Sequence, residues 1–217
     1  MADPGSRAGL AYFDPAILDW TARVHAGHDA ALDRAFDAPG RHGMPAIQLG
    51  PSEAKLVEIL LTLVGARNAV EIGTLAGYSA IRIARALAEG GHLWSIESDP
   101  RHAAVAQENL SIAALLRRVT VVEGVGLGVL PSLEKHGPFD AVFIDADKAN
   151  YDAYGRWAAR NLRKGGLLLG DNAFLFGRLL EKSSEAAAMR RFHEEAALLF
   201  DTVCIPTPDG LLLGVKR

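Results

Sequence analysis

The chain of 217 residues has one cysteine, no long apolar run and no strong excess of either charge. The single cysteine, Cys204, excludes an intramolecular disulfide and a metal cluster built on cysteine ligands. The short apolar runs exclude a membrane-spanning helix. A net charge of -3 argues against nucleic acid as the main partner.

What is present is the composition of a globular protein, with 49% apolar and 23% charged residues, and a length that suits one domain. The N-terminal stretch MADPGSRAGLAYF lacks the continuous apolar core of a signal peptide, so we expect a cytoplasmic protein. We expect its first nine or so residues to form a mobile tail.

Two regions differ in pattern. In the first, Asp14-Pro15 predicts the start of a helix that runs towards Phe36, followed by the irregular segment DAPGRHGMPA. We therefore separate an N-terminal tail and helical extension, residues 1–46, from a main domain, residues 47–217.

The main domain alternates between strands and helices. Five apolar strands are each followed by a helical segment: NAVEIG, HLWSIE, RVTVVEG, FDAVFID and GGLLLGDN. At the end, FDTVCIP and LLLGVKR are separated by TPDG, which is typical of an antiparallel hairpin. The pattern predicts an α/β fold with a Rossmann-like, doubly wound, mainly parallel seven-stranded sheet that ends in an antiparallel hairpin.

The first strand leads into a glycine turn, VEIGTLAGYSA, which contains Glu71, Gly73 and Gly77. The pattern is E-x-G-x-x-x-G and not the G-x-G-x-x-G of a dinucleotide site. A carboxylate at this strand end repels a pyrophosphate and attracts a cationic ligand. Gly73 permits close backbone approach, and Gly77 permits tight packing of helix on strand.

The second strand ends in Glu97, where a carboxylate can accept hydrogen bonds from a ribose. A ribose next to a positive group and without phosphate describes S-adenosylmethionine. Two simpler interpretations stay open: Glu71 caps a helix or pairs with a surface arginine, and Ser79 is an ordinary helix-start residue that does not touch the methionine carboxylate.

Acidic residues end the fourth and fifth strands, Asp145 in FDAVFID and Asp171-Asn172 in GGLLLGDN. Neighbouring parallel strands lie about 4.8 Å apart, so these side chains can share one ion if the strands are adjacent. Two carboxylates and an amide oxygen suit Mg²⁺ and leave positions for a substrate with two oxygens, such as a catechol. The alternative is a polar loop turn.

Asp147 and Lys148 follow directly after Asp145. We expect Asp147 to point away from Asp145 and to bond the cofactor. Lys148 is then placed to accept a proton from a hydroxyl whose pKa a cation has lowered. The alternative for Lys148 is a solvated lysine at a helix start.

These segments resemble the metal-dependent small-molecule O-methyltransferases related to catechol and caffeoyl-CoA O-methyltransferases. The resemblance runs from about Ile47 to Arg217 and is carried by IQLGPSEAK, VEIGTLAGYSA, FIDADKANY, GGLLLGDN and PTPDGLLLGVKR. It implies that residues 47–217 are an S-adenosylmethionine-dependent methyltransferase domain that uses Mg²⁺ or another divalent cation such as Mn²⁺ or Ca²⁺. It also implies a homodimer.

The resemblance assigns roles residue by residue. It implies metal ligation by Asp145, Asp171 and Asn172, with Lys148 and Asp145 as the catalytic pair and Lys148 as the base. Implied cofactor contacts are Leu49, Glu71, Gly73, Thr74, Ser79, Glu97, Gly126, Asp145 and Asp147.

The chain departs from the family at AFLFGRLLEKSS, after Asn172, where the substrate wall is expected. It also lacks a clear basic motif for a coenzyme A tail, so we expect a free small phenol as acceptor. The competing functions are a nicotinamide-dependent oxidoreductase and a non-catalytic S-adenosylmethionine-binding or scaffold protein.

The scattered histidines and the tryptophans fit no site. We predict surface positions for His25, His28, His42 and His193. We predict packing roles for Trp20, Trp94 and Trp157.

Overall fold

The computed structural model describes residues 14–217, and the predicted tail lies outside this range. Three helices come first, helices and strands then alternate, and two strands end the chain. The helices are α1 (Pro15–His25), α2 (Ala30–Arg41), α3 (Pro51–Leu63), α4 (Tyr78–Ala86), α5 (Pro100–Ile112), α6 (Gly126–Leu133), α7 (Tyr151–Asn161) and α8 (Ser184–Leu199). The strands are β1 (Asn68–Ile72), β2 (His92–Glu97), β3 (Val119–Glu123), β4 (Phe139–Ile144), β5 (Leu162–Gly170), β6 (Phe200–Ile205) and β7 (Leu211–Lys216).

The seven strands form one sheet in the order β3-β2-β1-β4-β5-β7-β6. The strands β1 to β5 are parallel, whereas β7 is antiparallel to both β5 and β6. This confirms the predicted doubly wound sheet with a closing hairpin. Because the order reverses between β1 and β4, the carboxyl ends of these strands border a crevice in which such folds bind ligands.

Each face of the sheet carries its own apolar core. Along β4, Ala141 and Phe143 belong to one core, while Val142 and Ile144 belong to the other. This alternation is the period-two pattern of a strand buried on both faces. Within the described residues, every helix is too short or too polar to cross a membrane.

The predicted single N-terminal helix is wrong, because the chain forms two. Asp14 caps α1 as expected, by accepting from the backbone of Ala16 at 2.9 Å. The helix ends at His25, and Asp29 caps α2 by accepting from Leu32 N at 3.0 Å. An aspartate inside an apparent helical pattern was thus a helix start. The first part of DAPGRHGMPA, predicted irregular, is the last turn of α2.

The histidine and tryptophan predictions hold in part. His25 and His42 are exposed, and Trp94 and Trp157 pack against the second core. His28 and His193 are instead partly buried and hydrogen-bonded. Trp20 is 57% exposed on α1, so the predicted packing role is wrong there.

Candidate active site

A cavity of about 790 Å³ lies across the carboxyl ends of the parallel strands. Segments that follow β1 to β5 line it on one side, and residues 45–49, which precede α3, line it on the other. Of the predicted site residues, only Glu71 and Asp171 are absent from the lining, which includes Leu49, Gly73, Thr74, Ser79, Glu97, Gly126, Asp145, Asp147, Lys148 and Asn172. The volume is that of a typical small-molecule site.

Both glycines of the turn after β1 are required by their surroundings. Gly73 has φ +100°, and a Cβ there would lie 1.9 Å from the carbonyl oxygen of Asp145. Gly77 has φ +84° and faces Ala106 of α5 at 3.3 Å. The expected packing of helix on strand at Gly77 is therefore packing of helix on helix. The turn brings the end of β1 directly against the end of β4.

Glu71 lies beneath the cavity and is fully buried. Ser95 Oγ donates to its Oε2 at 2.5 Å, and Thr74 Oγ1 lies 2.6 Å from Ser95 Oγ. Burial raises the pKa of Glu71 to about 8, against the lowering effect of hydrogen bonds from Ser79 and Ser95. Within residues 14–217, Glu71 neither caps a helix nor pairs with an arginine, and its contact with a cofactor stays a prediction.

Glu97, at the end of β2, lies on the wall and is held by the backbone. Its Oε2 accepts from Leu75 N at 2.8 Å, and its Oε1 accepts from Asp99 N at 2.9 Å. Each carboxylate oxygen has two acceptor positions, so further bonds to a ligand are possible. His102 also lines the cavity, 3.8 Å from Glu97 Oε1 through Nδ1, and was not predicted.

Gly126 and Asp147 share a neighbour, Tyr154. A Cβ at Gly126 would lie 2.9 Å from the Tyr154 ring, so only glycine leaves this part of the cavity open. Tyr154 donates from its hydroxyl to Asp147 Oδ1 at 2.5 Å. Burial and the charge of Asp147 raise the pKa of Tyr154, which keeps this donor protonated.

The predicted acidic cluster forms at the ends of β4 and β5, which are adjacent with Ile144 opposite Gly170. Among the described residues, Asp171 Oδ1 is buried without a hydrogen-bond partner. Burial raises the pKa of Asp171 well above its ordinary value, and the charges of Asp145 and Glu53 raise it further. Like-charged carboxyls held together in this way are compensated when a cation binds between them.

No group of three or more His, Cys, Asp or Glu side chains in the described part of the chain is arranged to hold a metal ion. The predicted ligand set contains two carboxylates and one amide and is therefore not of that type. The unpartnered oxygen of Asp171 and the adjacent Asn172 side chain fit the chemistry of a hard divalent cation.

Lys148 is fixed between an acid and a phenol. Its Nζ lies 3.2 Å from Asp145 Oδ1, donates to Tyr151 Oη at 2.8 Å and stands 4.8 Å from the Tyr151 ring centre. Tyr151 is buried and donates to the carbonyl oxygen of Asp171 at 2.9 Å. No role was predicted for Tyr151, although its place three residues after Lys148 puts both on one side of a helical turn.

The loop after β5 has an unusual backbone. Asn172, Leu175 and Phe176 have φ values of 52°, 52° and 54°, a region that favours glycine. The turn before β7 holds this loop: Asp209 Oδ1 accepts from Phe176 N at 2.8 Å, and Gly210 O accepts from Ala173 N at 2.9 Å. Phe176 thereby reaches the cavity wall while 59% of it stays exposed.

Comparison with known proteins decides the family. A sequence profile described as O-methyltransferase matches residues 26–217. The chain belongs to the O-methyltransferase family. The match begins before Ile47, so it includes α2, which the resemblance seen in the sequence did not.

Individual relatives agree with this assignment. A catechol O-methyltransferase of Niastella koreensis is 40% identical over 191 residues, which are 87% of this methyltransferase and 86% of the relative. A catechol O-methyltransferase of Mycobacterium tuberculosis is 41% identical over 174 residues, 80% and 77% of the two chains. A crystal structure of an O-methyltransferase from Bacillus cereus in complex with SAH has a TM-score of 0.89 at 32% identity and covers 93% of this chain and 97% of its own.

This protein is therefore an S-adenosylmethionine-dependent O-methyltransferase by family and fold. The nicotinamide-dependent oxidoreductase and the non-catalytic alternatives are not retained.

Proposed function

We propose that the enzyme methylates one hydroxyl of a small vicinal dihydroxy aromatic with the help of a divalent cation. The observation that carries the proposal is the cluster at the ends of β4 and β5, where the unpartnered Asp171 Oδ1 lies beside Asp145, Asn172 and the amine of Lys148. A buried carboxylate oxygen without a partner is costly, and a bound cation would offset that cost.

The residues around the first glycine turn fit the methyl donor, which when bound would supply its methyl group from a sulfonium. Gly73 and Gly126 line the cavity at positions where a Cβ would clash with a neighbouring residue. Leu49, Thr74 and Ser79 line the same cavity. Glu97 has acceptor positions for ribose hydroxyls, and Asp147 presents a carboxylate that Tyr154 holds in place.

Asp145, Asp171 and Asn172 would hold the cation, and Mg²⁺, Mn²⁺ and Ca²⁺ all suit oxygen ligands. When bound, it would lower the pKa of an acceptor hydroxyl and align the acceptor through two oxygens. In its unprotonated form, Lys148 Nζ is placed to accept a proton from an acceptor hydroxyl, because it lines the cavity and lies 3.2 Å from Asp145 Oδ1. Tyr151 holds the amine at that place.

The acceptor class rests on the chemistry of this cluster. Two carboxylates and an amide leave room for a ligand with two adjacent oxygens, which a catechol offers and a simple phenol does not. Relatives that are named catechol O-methyltransferases support this class. The acceptor wall contains Phe176, an aromatic side chain that can pack on an aromatic ring.

The test is a panel of catechols and matched monohydroxy phenols, each incubated with S-adenosylmethionine and Mg²⁺, with and without chelator. We expect a product that carries one more methyl group than the substrate, detected by its mass, for the catechols only and only in the absence of chelator. Methylation of catechols that survives thorough chelation would refute the role of the cation. Methylation of the monohydroxy phenols at equal rate would refute the acceptor class.

A second test separates metal binding from turnover. We expect Asp171→Ala to abolish stimulation by Mg²⁺ and to weaken Mn²⁺ binding at least about 10-fold, as measured by calorimetry without donor or acceptor. Asp201→Ala, an exposed aspartate on β6, is the matched control and should bind Mn²⁺ as the wild type does. Unchanged Mn²⁺ binding in Asp171→Ala would remove this residue from the ligand set.

The homodimer and the cytoplasmic location stay predictions. Sedimentation of the purified protein tests the first, and fractionation of the source cells tests the second.

A further inference from the structure

The four residues between α1 and α2, Ala26–Asp29, bind one face of α4, and we name this segment the clamp. Arg82 Nη2 donates to Ala26 O at 3.0 Å, and Arg85 Nη2 donates to Asp29 Oδ2 at 2.8 Å. His28 Nε2 lies 2.8 Å from the hydroxyl oxygen of Tyr78. The three partners on α4 are spaced by one helical turn each, so they lie on one face.

The hydrogen bonds of His28 have a defined direction. Its Nδ1 lies 3.2 Å from Asp33 Oδ1, and a carboxylate only accepts, so Nδ1 carries a hydrogen. In the neutral imidazole Nε2 is then the acceptor, and the Tyr78 hydroxyl donates to it. The Tyr78 ring also packs against the rings of His28 and Phe36, with centroids 5.2 and 5.1 Å apart. Both ends of the Tyr78 side chain are thus fixed.

Tyr78 belongs to the wall of the donor cavity. It is the first residue of α4, follows Gly77 directly and is 2% exposed. Its neighbour Ser79 lines the same cavity. A change in the position of the Tyr78 ring therefore moves the start of α4 and the glycine turn before it.

The opposite wall of the cavity is hydrogen-bonded to α2, whose Phe36 packs on Tyr78. Gln48 Nε2 donates to Phe36 O on α2 at 2.8 Å, and Gln48 belongs to residues 45–49, which line the cavity. Since Phe36 packs on Tyr78 and α2 begins directly after the clamp, one small group of side chains joins both walls.

We propose that His28 and Tyr78 position these two walls for the methyl donor, with His28 acting through Tyr78. The inference rests on the proposed binding of S-adenosylmethionine in this cavity. Walls that are already aligned need less ordering when a ligand binds, so the pair contributes to donor affinity. Within the described residues, neither side chain is hydrogen-bonded to Lys148 or Asp171, so we expect the chemical step to be unaltered.

The test uses the full-length enzyme and S-adenosylhomocysteine as the calorimetric probe. We expect Tyr78→Phe and His28→Ala each to raise its Kd about 3- to 10-fold, the value of one hydrogen bond. The double variant should bind S-adenosylhomocysteine with a Kd within about 2-fold of that of either single variant, because both substitutions break the same hydrogen bond. KM for S-adenosylmethionine should rise by the same factor, with kcat within about 2-fold of the wild type.

Two further variants separate positioning from a purely structural role. His28→Gln keeps an acceptor for the Tyr78 hydroxyl and should recover part of the affinity that His28→Ala loses. His25→Ala, at the exposed end of α1, should leave Kd and KM unchanged.

The outcomes are distinct. Variants that melt at a lower temperature but bind S-adenosylhomocysteine as the wild type does would overturn the positioning role and leave the proposed function intact. Additive losses in the double variant would also overturn it, because His28 would then not act through Tyr78. A wild-type enzyme that does not bind S-adenosylhomocysteine would refute the proposed function, and the positioning role with it.

Discussion

Two pairs of carboxyl groups lie at the strand ends around the cavity, and their surroundings differ. At the ends of β1 and β2, Glu97 accepts two backbone hydrogen bonds and Glu71 accepts from Ser95. At the ends of β4 and β5, Asp145 is bonded to Lys148, while Asp171 Oδ1 has no partner within the described residues. On the proposed donor side the chain supplies hydrogen-bond donors to both carboxyl groups, although Glu71 Oε1 has no hydrogen-bond partner in the described residues. On the proposed acceptor side one carboxyl group is paired with a lysine, and a buried oxygen of the other is open to a ligand.

The difference teaches how one sheet edge can serve two purposes. Backbone donors make the donor side rigid before any ligand arrives. A buried carboxylate oxygen without a partner, such as Asp171 Oδ1, costs stability, and under the proposed function a bound cation would offset that cost. The following predictions test this division, from the largest expected effect to the smallest.

Gly73→Ala should break the contact between the two sides. A Cβ there would lie 1.9 Å from Asp145 O, and φ is +100°. We expect the free energy of unfolding to fall by at least about 3 kcal/mol, measured by denaturant titration. Gly128→Ala is the control, because a Cβ at this helical position meets nothing within 4 Å. Equal stability of Gly73→Ala and the wild type would contradict the close contact.

Lys148→Ala should affect the acceptor side alone. We expect kcat to fall about 10²- to 10⁴-fold, the usual contribution of a proton acceptor, with no change in the Kd of S-adenosylhomocysteine. Single-turnover assays and calorimetry measure the two quantities. Lys164→Ala, an exposed lysine on β5, serves as the control. Equal turnover in Lys148→Ala would remove this lysine from the mechanism.

Tyr151→Phe tests the support of that lysine. Its hydroxyl accepts from Lys148 and donates to Asp171 O, so removal frees the amine and leaves a buried carbonyl without its donor. We expect kcat to fall about 3- to 10-fold, as for the loss of one hydrogen bond. A loss as large as that of Lys148→Ala would instead assign the proton transfer to the phenol.

Glu71→Gln should reduce the pH dependence of stability. Its folded-state pKa of about 8 lies above the ordinary 4.5, so the folded state holds more protons between these values. This contribution to stability is complete below about pH 4.5 and is lost as the pH rises through about 8. In the variant, the free energy of unfolding should decrease less steeply over this pH range. One titrating carboxyl changes it by at most about 1.4 kcal/mol per pH unit. Glu123→Gln, at an exposed residue at the end of β3, should leave the pH dependence unchanged.

The sequence predicts the sheet because its signals are local. Alternating apolar strands and helices, with a TPDG turn near the end, define the order of elements. Strand ends also predict which acids meet, since parallel strands place their carboxyl ends at one edge. For this reason Asp145, Asp171 and Asn172 could be grouped from the sequence.

The rest depends on contacts between distant segments. His28 looks like a surface residue until α2 packs on α4 and brings it to Tyr78, 50 residues away. The sequence around Asp29 predicts a continuous helix. Its role as a helix cap becomes visible only in the structure, where α1 ends at His25 and α2 begins at Ala30. The burial of Glu71 under the cavity likewise depends on Ser95 from the neighbouring strand.

The turn before β7 has an effect beyond its own hairpin. Through Asp209 and Gly210 it restrains Ala173 and Phe176 in a loop whose backbone would relax if released. Under the proposed function, residues of this turn influence which acceptors fit without contacting the acceptor. Substitutions in the turn would then change acceptor preference and leave the cluster at the ends of β4 and β5 intact.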